Sequence, residues 1–201
     1  TVARGLELRE KLGGGWGGYH PAMPDIASFS VIEPLRNGTE VEIRALRPSD
    51  RDALVAAARR TSDQSLYRRF FGVRREFSDQ EVAGFVNVDF IHHVALVAVM
   101  HTAGVTHAAG HELIVAGARY IVIRPGVAEF ACTVVDDFQG QGIAGALLRQ
   151  LVQLARAAGV TELIAEVMPE NTAMLRVLER SGLRRHLRRE GDVVHVTLPL
   201  D

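Results

Sequence analysis

A mixed α/β sandwich, not a doubly wound parallel repeat, is the fold class the sequence predicts. Three observations lead there. Hydrophobic periodicity changes between that of strands and that of helices in the order strand, helices, three strands, helix, strand, helix, strand. The stretch from about residue 143 to residue 158 puts Ala144, Leu147, Leu148, Leu151, Leu154, Ala155 and Ala158 on one helical face, with Arg149, Gln150, Gln153 and Arg156 opposite. Only about 56 residues follow Gly145, at the head of that helix, too few for the further βα units of a doubly wound sheet.

Residues 1 to 38 read as a separate arm, and 39 to 201 as the folded domain. The arm contains "LGGGWGGYHPAMPD", a Gly- and Pro-rich composition that stays flexible unless something pins it. Trp16 and Tyr19 are the side chains that would dock it. In "TEVEIRALRPSD", Val41, Ile43 and Ala45 alternate with Glu40, Glu42 and Arg44, as in a half-buried strand. Ser49 is placed to cap the next helix, with Asp52 three residues on. "DALVAAARR", "QSLYRRFF" and "SDQEVAGFVN" read as helices. "HHVALVAVM" and "ARYIVI" read as strands, separated by the polar turn "HTAGVTHAAGHE". "VAEFACTVV" is the next strand. After the long helix come the strand "ELIAEVM", the helix "TAMLRVLERS" closed by Gly182, and the strand "VVHVTLPL".

The composition excludes several functions. Net charge is −1, so the chain as a whole is not built to bind nucleic acid. Arg68, Arg69, Arg74 and Arg75, and then Arg184, Arg185, Arg188 and Arg189, are local clusters. They read as solvated faces or as surfaces for anions. No apolar run approaches the roughly 20 residues of a membrane span, and the first residues lack a signal-peptide core. With one cysteine, Cys132, no internal disulfide or cysteine cage forms, and a cytoplasmic location is expected. His107 and His111 stand four apart on a turn without a third ligand, so no metal is expected.

The chemistry centres on "VVDDFQGQGIAGALL", residues 134–148. Gly140, Gly142 and Gly145 spell G-x-G-x-x-G, which taken alone is a weak dinucleotide fingerprint. Gln139, Gly142 and Ala144 spell Q-x-x-G-x-A. Either way, glycines open a helix whose free N–H groups and positive dipole end suit a phosphate. Upstream, alternation sets Val127, Glu129, Ala131, Thr133 and Val135 on one face of the strand and Phe130, Cys132 and Val134 on the other. Glu129 is the strand's single carboxylate, on a face of small residues. From the strand alone it reads as an ion-paired glutamate or as a general base. Cys132, on the apolar side, reads as an inert core thiol rather than a nucleophile.

"FQGQGIAGALL" resembles the coenzyme A loop of the GNAT superfamily of N-acetyltransferases. "NTAMLRVLERSGL" resembles that superfamily's following helix, with Met174 where Ala is usual and Leu183 where Phe is usual. The resemblance covers about residues 40 to 200. "RALRPSD", "SDQSLYRRFF", "HHVALVAV" and "AEFACTVVDDFQGQGIAGALL" are similar to the catalytic domain of bacterial protein lysine acetyltransferases. Longer members carry a cyclic-nucleotide-binding domain or an acyl-CoA-synthetase-like region, and 38 residues fold as neither. The resemblance implies a GNAT fold, with a mixed, mostly antiparallel sheet flanked by helices on both faces. It implies acetyl-CoA as cosubstrate, a protein lysine as acceptor, an acyl-CoA synthetase among the protein partners, and no role for nucleic acid or membrane. A small-molecule or N-terminal amine is the alternative acceptor, and a non-catalytic acyl-CoA sensor the alternative function.

By the same resemblance, Gln139, Gly140, Gln141, Gly142, Ile143, Ala144 and Gly145 hold the pyrophosphate. Thr133, Val134 and Val135 hold the pantetheine arm through their backbone, Asn171 contacts the cofactor while capping its helix, and Glu129 is the base. Many members carry a tyrosine acid seven residues after that asparagine, and here the position is Leu178.

Overall fold

In the computed structural model, which describes residues 25–73, 76–102 and 111–201, eight strands form one sheet. They are β1 (Ser30–Pro34), β2 (Glu40–Ala45), β3 (His93–Thr102), β4 (His111–Arg124), β5 (Val127–Val134), β6 (Glu162–Val167), β7 (His186–Glu190) and β8 (Val193–Pro199). Their order across the sheet is β1-β2-β3-β4-β5-β6-β8-β7. Neighbours are antiparallel except β5 and β6. Among the described residues, five α-helices accompany the sheet: α1 (Arg51–Arg59), α2 (Asp63–Phe70), α3 (Asp79–Val86), α4 (Ile143–Ala157) and α5 (Thr172–Glu179). This is the layered α/β architecture the sequence predicts, with α4 packed on one sheet face and α1 on the other. Trp16, Tyr19, Arg74, Arg75 and His107 lie outside the described residues.

Two strands were not expected. Residues 30–34, assigned from sequence to the arm, pair with β2 from Ser30↔Arg44 to Pro34↔Glu40. Ile26 and Leu35 on either side are buried in the main core, so the folded part includes residues 26–35 of that arm. β7 is exposed along its whole length. It is rich in arginine, carries no apolar alternation, and takes its register from β8 alone.

The amphipathic reading of α4 holds for its leucines. Leu147, Leu148 and Leu151 are fully buried against β3, β4 and β5. Gln150 departs from it: expected on the polar face, it is buried, and its Nε2 donates to Glu33 of β1 at 2.5 Å. Arg149 also reaches Glu33, at 2.7 Å. The edge strand covers this side of the helix, so the expected polar face is partly enclosed.

Arg44 departs from its expected exposed side for a similar reason. It is 1% exposed and forms a fork with Asp50, Nη1 to Oδ2 and Nη2 to Oδ1, both at 2.8 Å. Nη2 also meets Glu112 at 2.7 Å. Asp50 in turn accepts the Arg47 amide at 2.7 Å and stands at the N-cap of α1. The expected cap at Ser49 is therefore corrected: Ser49 lies within the 3-10 turn Pro48–Asp50, and the buried ion pair sets the corner. Paired and hydrogen-bonded on both sides, the two charges escape the cost of isolation in a low-dielectric interior.

Candidate active site

The single parallel junction of the sheet is short. β5 and β6 pair through Val127↔Glu162, Ala128↔Leu163 and Glu129↔Ile164 only. Past Glu129, residues 130–134 and 165–167 line a cleft of about 660 Å³ instead. The β5 edge facing β6 is thus left without a ladder partner over those residues. A cleft of this size is in the usual range for a whole ligand.

One end of the cleft is the glycine loop. Gly140 and Gly142 have φ of +76° and +96°, a left-handed backbone that glycine adopts without a Cβ clash. Gly142 is the N-cap of α4 and offers no capping side chain, and the first turn of the helix holds no acidic residue. The Ala146 amide already reaches the Gly142 carbonyl. The amides before it face the cleft end, where the helix dipole favours an anion. At Gly145 the backbone is ordinary, and an added Cβ would stand in open space.

The loop is held from three sides. Gln139 Nε2 donates to the Val134 carbonyl at 3.1 Å and to Ser65 Oγ at 3.2 Å. Gln141 accepts from Asn37 Nδ2 at 3.1 Å, and its carbonyl accepts the Arg36 amide. Asp136 accepts from the Ser62 amide and hydroxyl, each at 2.7 Å, and from Ser65 Oγ at 2.9 Å. It thereby fixes the start of α2 to the end of β5. Burial alone would raise the Asp136 carboxyl, but these hydrogen bonds outweigh it and hold the group below the usual carboxylate range. Its contribution to stability is therefore complete above the unfolded value of about 3.9, and it is lost as pH falls through the lower folded value. Asp136→Asn is expected to lower the thermal midpoint at pH 7 by about 2–4 °C for each kcal/mol removed. Its difference from the parent protein should narrow as pH falls below that unfolded value, as scanning calorimetry across pH would read.

Glu129 lines the cleft at the last paired position of β5 and is 8% exposed. Thr133 and Val134 also line it, as do Gln139, Gly140, Gln141, Gly142, Ile143, Ala144, Gly145 and Asn171. Asn171 caps α5, its Oδ1 accepting the Met174 amide at 3.2 Å. Val135 does not line the cleft. Its amide donates to Val115, its carbonyl accepts from Phe138, and its side chain is buried toward α1 on the same strand face as Glu129. Cys132 is buried in the core, where desolvation pushes its thiol up to about 12, as an inert thiol requires. Leu178 is 1% exposed and supplies no acid.

The sequence reading identified α2 as a helix and Arg68 and Arg69 as a charged cluster, but not its place at the site. Ser65, Arg68 and Arg69 all line the cleft. Arg69 shares its helix face with buried Leu66 and partly buried Phe70, and that spacing was the available signal. Its guanidinium stacks over Phe70 at 4.9 Å. Desolvation pushes it down to about 10, partly offset by the negative charge of Glu129. Elsewhere, Glu42, His101 and Glu112 bring one ligand atom each within 4.8 Å of one another. Arg44 and Ser30 already pair with that group. Among the described residues, no helix is long and apolar enough to cross a membrane.

Comparison with known proteins places these features in context. The family model described as an acetyltransferase (GNAT) domain matches residues 40–184. An acetyltransferase of Pseudomonas aeruginosa is 31% identical over 144 residues, 71% of this chain and 74% of that protein. Acetyltransferase Pat of Mycolicibacterium smegmatis is 30% identical over 163 residues, 78% of this chain but 46% of that protein, so the chain spans less than half of that relative. The crystal structure of the GNAT domain of S. lividans PAT superposes with a TM-score of 0.75 at 29% identity, covering 90% of this chain and 99% of that one.

Proposed function

The chain belongs to the GNAT acetyltransferase family, and from that premise we propose that it moves an acetyl group from acetyl-CoA to a lysine side chain of a protein, with Glu129 as general base. One observation carries the reading. A buried carboxylate stands where the β5–β6 ladder ends, inside the same cleft as an anion-ready helix N-terminus. The α4 amides suit the pyrophosphate. The unladdered β5 edge offers backbone groups to the pantetheine arm at Thr133 and Val134. A backbone donor there also serves the thioester oxygen, and loss of such a donor typically costs about 3–4 kcal/mol of barrier.

A lysine amine titrates near 10.4, so at neutral pH only a few in about ten thousand are free to attack. Glu129 takes the ammonium proton, directly or through a water, as a positioned base does. Coenzyme A thiol, with a pKa near 8.5 by analogy to a free thiol, leaves without a dedicated acid. This suits the buried Leu178. An acyl-CoA synthetase is the first acceptor to test, by family resemblance. Leu178 also favours a second reading, a sensor that binds acyl-CoA without turnover.

Acetyl-CoA at about 100 times its Kd should stabilise the fold by about 2.7 kcal/mol, or roughly 5–10 °C in thermal midpoint for a chain of this size. NAD and NADP should give no shift, and a shift with NAD alone would reverse the choice made at the glycine loop. Thiol release that depends on a lysine acceptor separates the enzyme from the sensor. Lys11 is the chain's one lysine, so acceptor labelling is easily told from self-labelling.

A further inference from the structure

A second cavity adjoins the cleft. Its volume is about 130 Å³, and it lies between β4–β5 and helices α1, α2 and α3. Ala131, Thr133 and Arg69 line both spaces, so the two meet on the strand face that carries Glu129. The walls are largely apolar. Phe70, Phe77 and Phe85 form a cluster with ring centroids 5.2, 5.6 and 6.0 Å apart. Such a space is well below the roughly 300–1,000 Å³ of a whole ligand site. It fits the end of a short chain.

Two guanidiniums border this apolar space. Arg69 lies over Phe70, and Arg119 of β4 lies over Phe85 at 5.1 Å. Arg119 Nη1 donates to His93 Nε2 at 3.1 Å, which therefore carries no proton, and to the Phe85 carbonyl at 3.4 Å. Both partners are neutral. Desolvation pushes Arg119 down to about 9, and the charge of Arg69 pushes in the same direction. Among the described residues, no acidic group is seen to oppose this at Arg119. A desolvated charge is costly unless an opposite charge meets it. Arg69 and Arg119 both border the space next to the strand face of Glu129, and the guanidinium fork of Arg119 suits a planar two-oxygen anion.

We infer that this cavity takes the terminal carboxylate of a short dicarboxylic acyl group, so that the enzyme accepts malonyl- or succinyl-type thioesters of coenzyme A as donors. The inference rests on the acyl-transfer reading of the cleft. The chemistry balances without any further reactant. The amine nitrogen bonds to the thioester carbon, the C–S bond breaks, and coenzyme A leaves as thiolate. One ammonium proton passes to Glu129 and on to solvent, and the second, shed by the nitrogen as the tetrahedral adduct collapses, goes to the departing thiolate. The distal carboxylate does not react, and the modified lysine changes from positive to negative.

The test compares succinyl-CoA with butyryl-CoA, which differ at the chain end in carboxylate against methyl. Both Kd and kcat/KM are measured, with a lysine peptide free of acidic residues as acceptor. The parent protein is expected to favour succinyl-CoA at least tenfold in each. Arg119→Met should bring that ratio to one or below, and Arg119→Lys should keep part of it. Ratios within one variant remove any general loss of folding, and a thermal midpoint for each variant checks it. A parent ratio of one, or a preference that survives Arg119→Met, overturns the inference. Repeating the assay with acidic and neutral acceptor peptides locates the carboxylate. Discrimination by Arg119 among peptides but not among donors would assign it to the acceptor and overturn the donor assignment. If no acyl group moves but the Kd ratio holds and falls in Arg119→Met, the cavity is as inferred and it is the transfer reading that fails.

Discussion

Glu129→Gln is expected to lower the rate of acetyl transfer by roughly 100- to 10,000-fold, the usual range for a lost general base, with acetyl-CoA affinity close to that of the parent. The glutamine keeps the size of the side chain and most of its hydrogen bonding, so the end of the β5–β6 ladder should hold its shape. The loop at residues 139–145 and the cap at Asn171 are untouched. The pH profile is the more telling measurement. In the parent, kcat/KM should carry a limb that reports ionisation of the base. In the variant that limb should vanish and leave a dependence on ionisation of the acceptor amine. The competing description makes Glu129 an ion-paired strand residue whose interactions fix the cleft wall. On that description the thermal midpoint falls while turnover and the profile stay near those of the parent, and such a result would return catalysis to solvent or another group.

Gly142→Glu is expected to abolish measurable acetyl-CoA binding. Two unit charges of like sign about 4 Å apart near a protein surface repel by about 4 kcal/mol, close to a thousandfold in affinity. The φ of +96° at this position adds a second effect. A non-glycine residue there carries strain of about 1–3 kcal/mol, so this variant should also melt earlier. Contact with Arg36 is not the difficulty, since an added Cβ would sit 3.6 Å from its Nε. Gly145→Glu separates the two effects. Its backbone is ordinary and its Cβ would enter open space, so it should keep the parent's midpoint and still lose the ligand. Isothermal titration on both variants decides it, and normal affinity in Gly145→Glu would move the phosphates elsewhere.

Periodicity made much of this fold legible. The leucines of α4 and the alternation of β5 name their own buried faces. The glycine loop identified itself because a left-handed backbone at Gly140 and Gly142 excludes most other residues. What stayed hidden depends on contacts distant in sequence. Arg44 and Gln150 look like surface residues until Asp50 and Glu33 arrive to pair with them. β1 and β7 lie at the two sheet edges, where one neighbour supplies the register and little apolar pattern is required. Val135 continues the strand's alternation, and nothing local reveals that its amide already serves Val115. Arg69 was read with its neighbours as a charged run, though Leu66 and Phe70 turn it inward.

Three residue pairs join β5 to β6, and their number bears on how the molecule holds together. β6, β7 and β8 form an antiparallel ladder of their own, and β1 to β5 form another. Parallel pairing is slightly weaker per residue than antiparallel, and here it is brief. The sheet is therefore two antiparallel ladders joined at one narrow parallel seam, with α4 and the shared core as the other links between them. A ligand lying along residues 130–134 occupies the place where the ladder would have continued. Its free energy of binding is at the same time cohesion between the two halves, so saturation with cosubstrate changes the cooperativity of the whole sheet as well as filling the site.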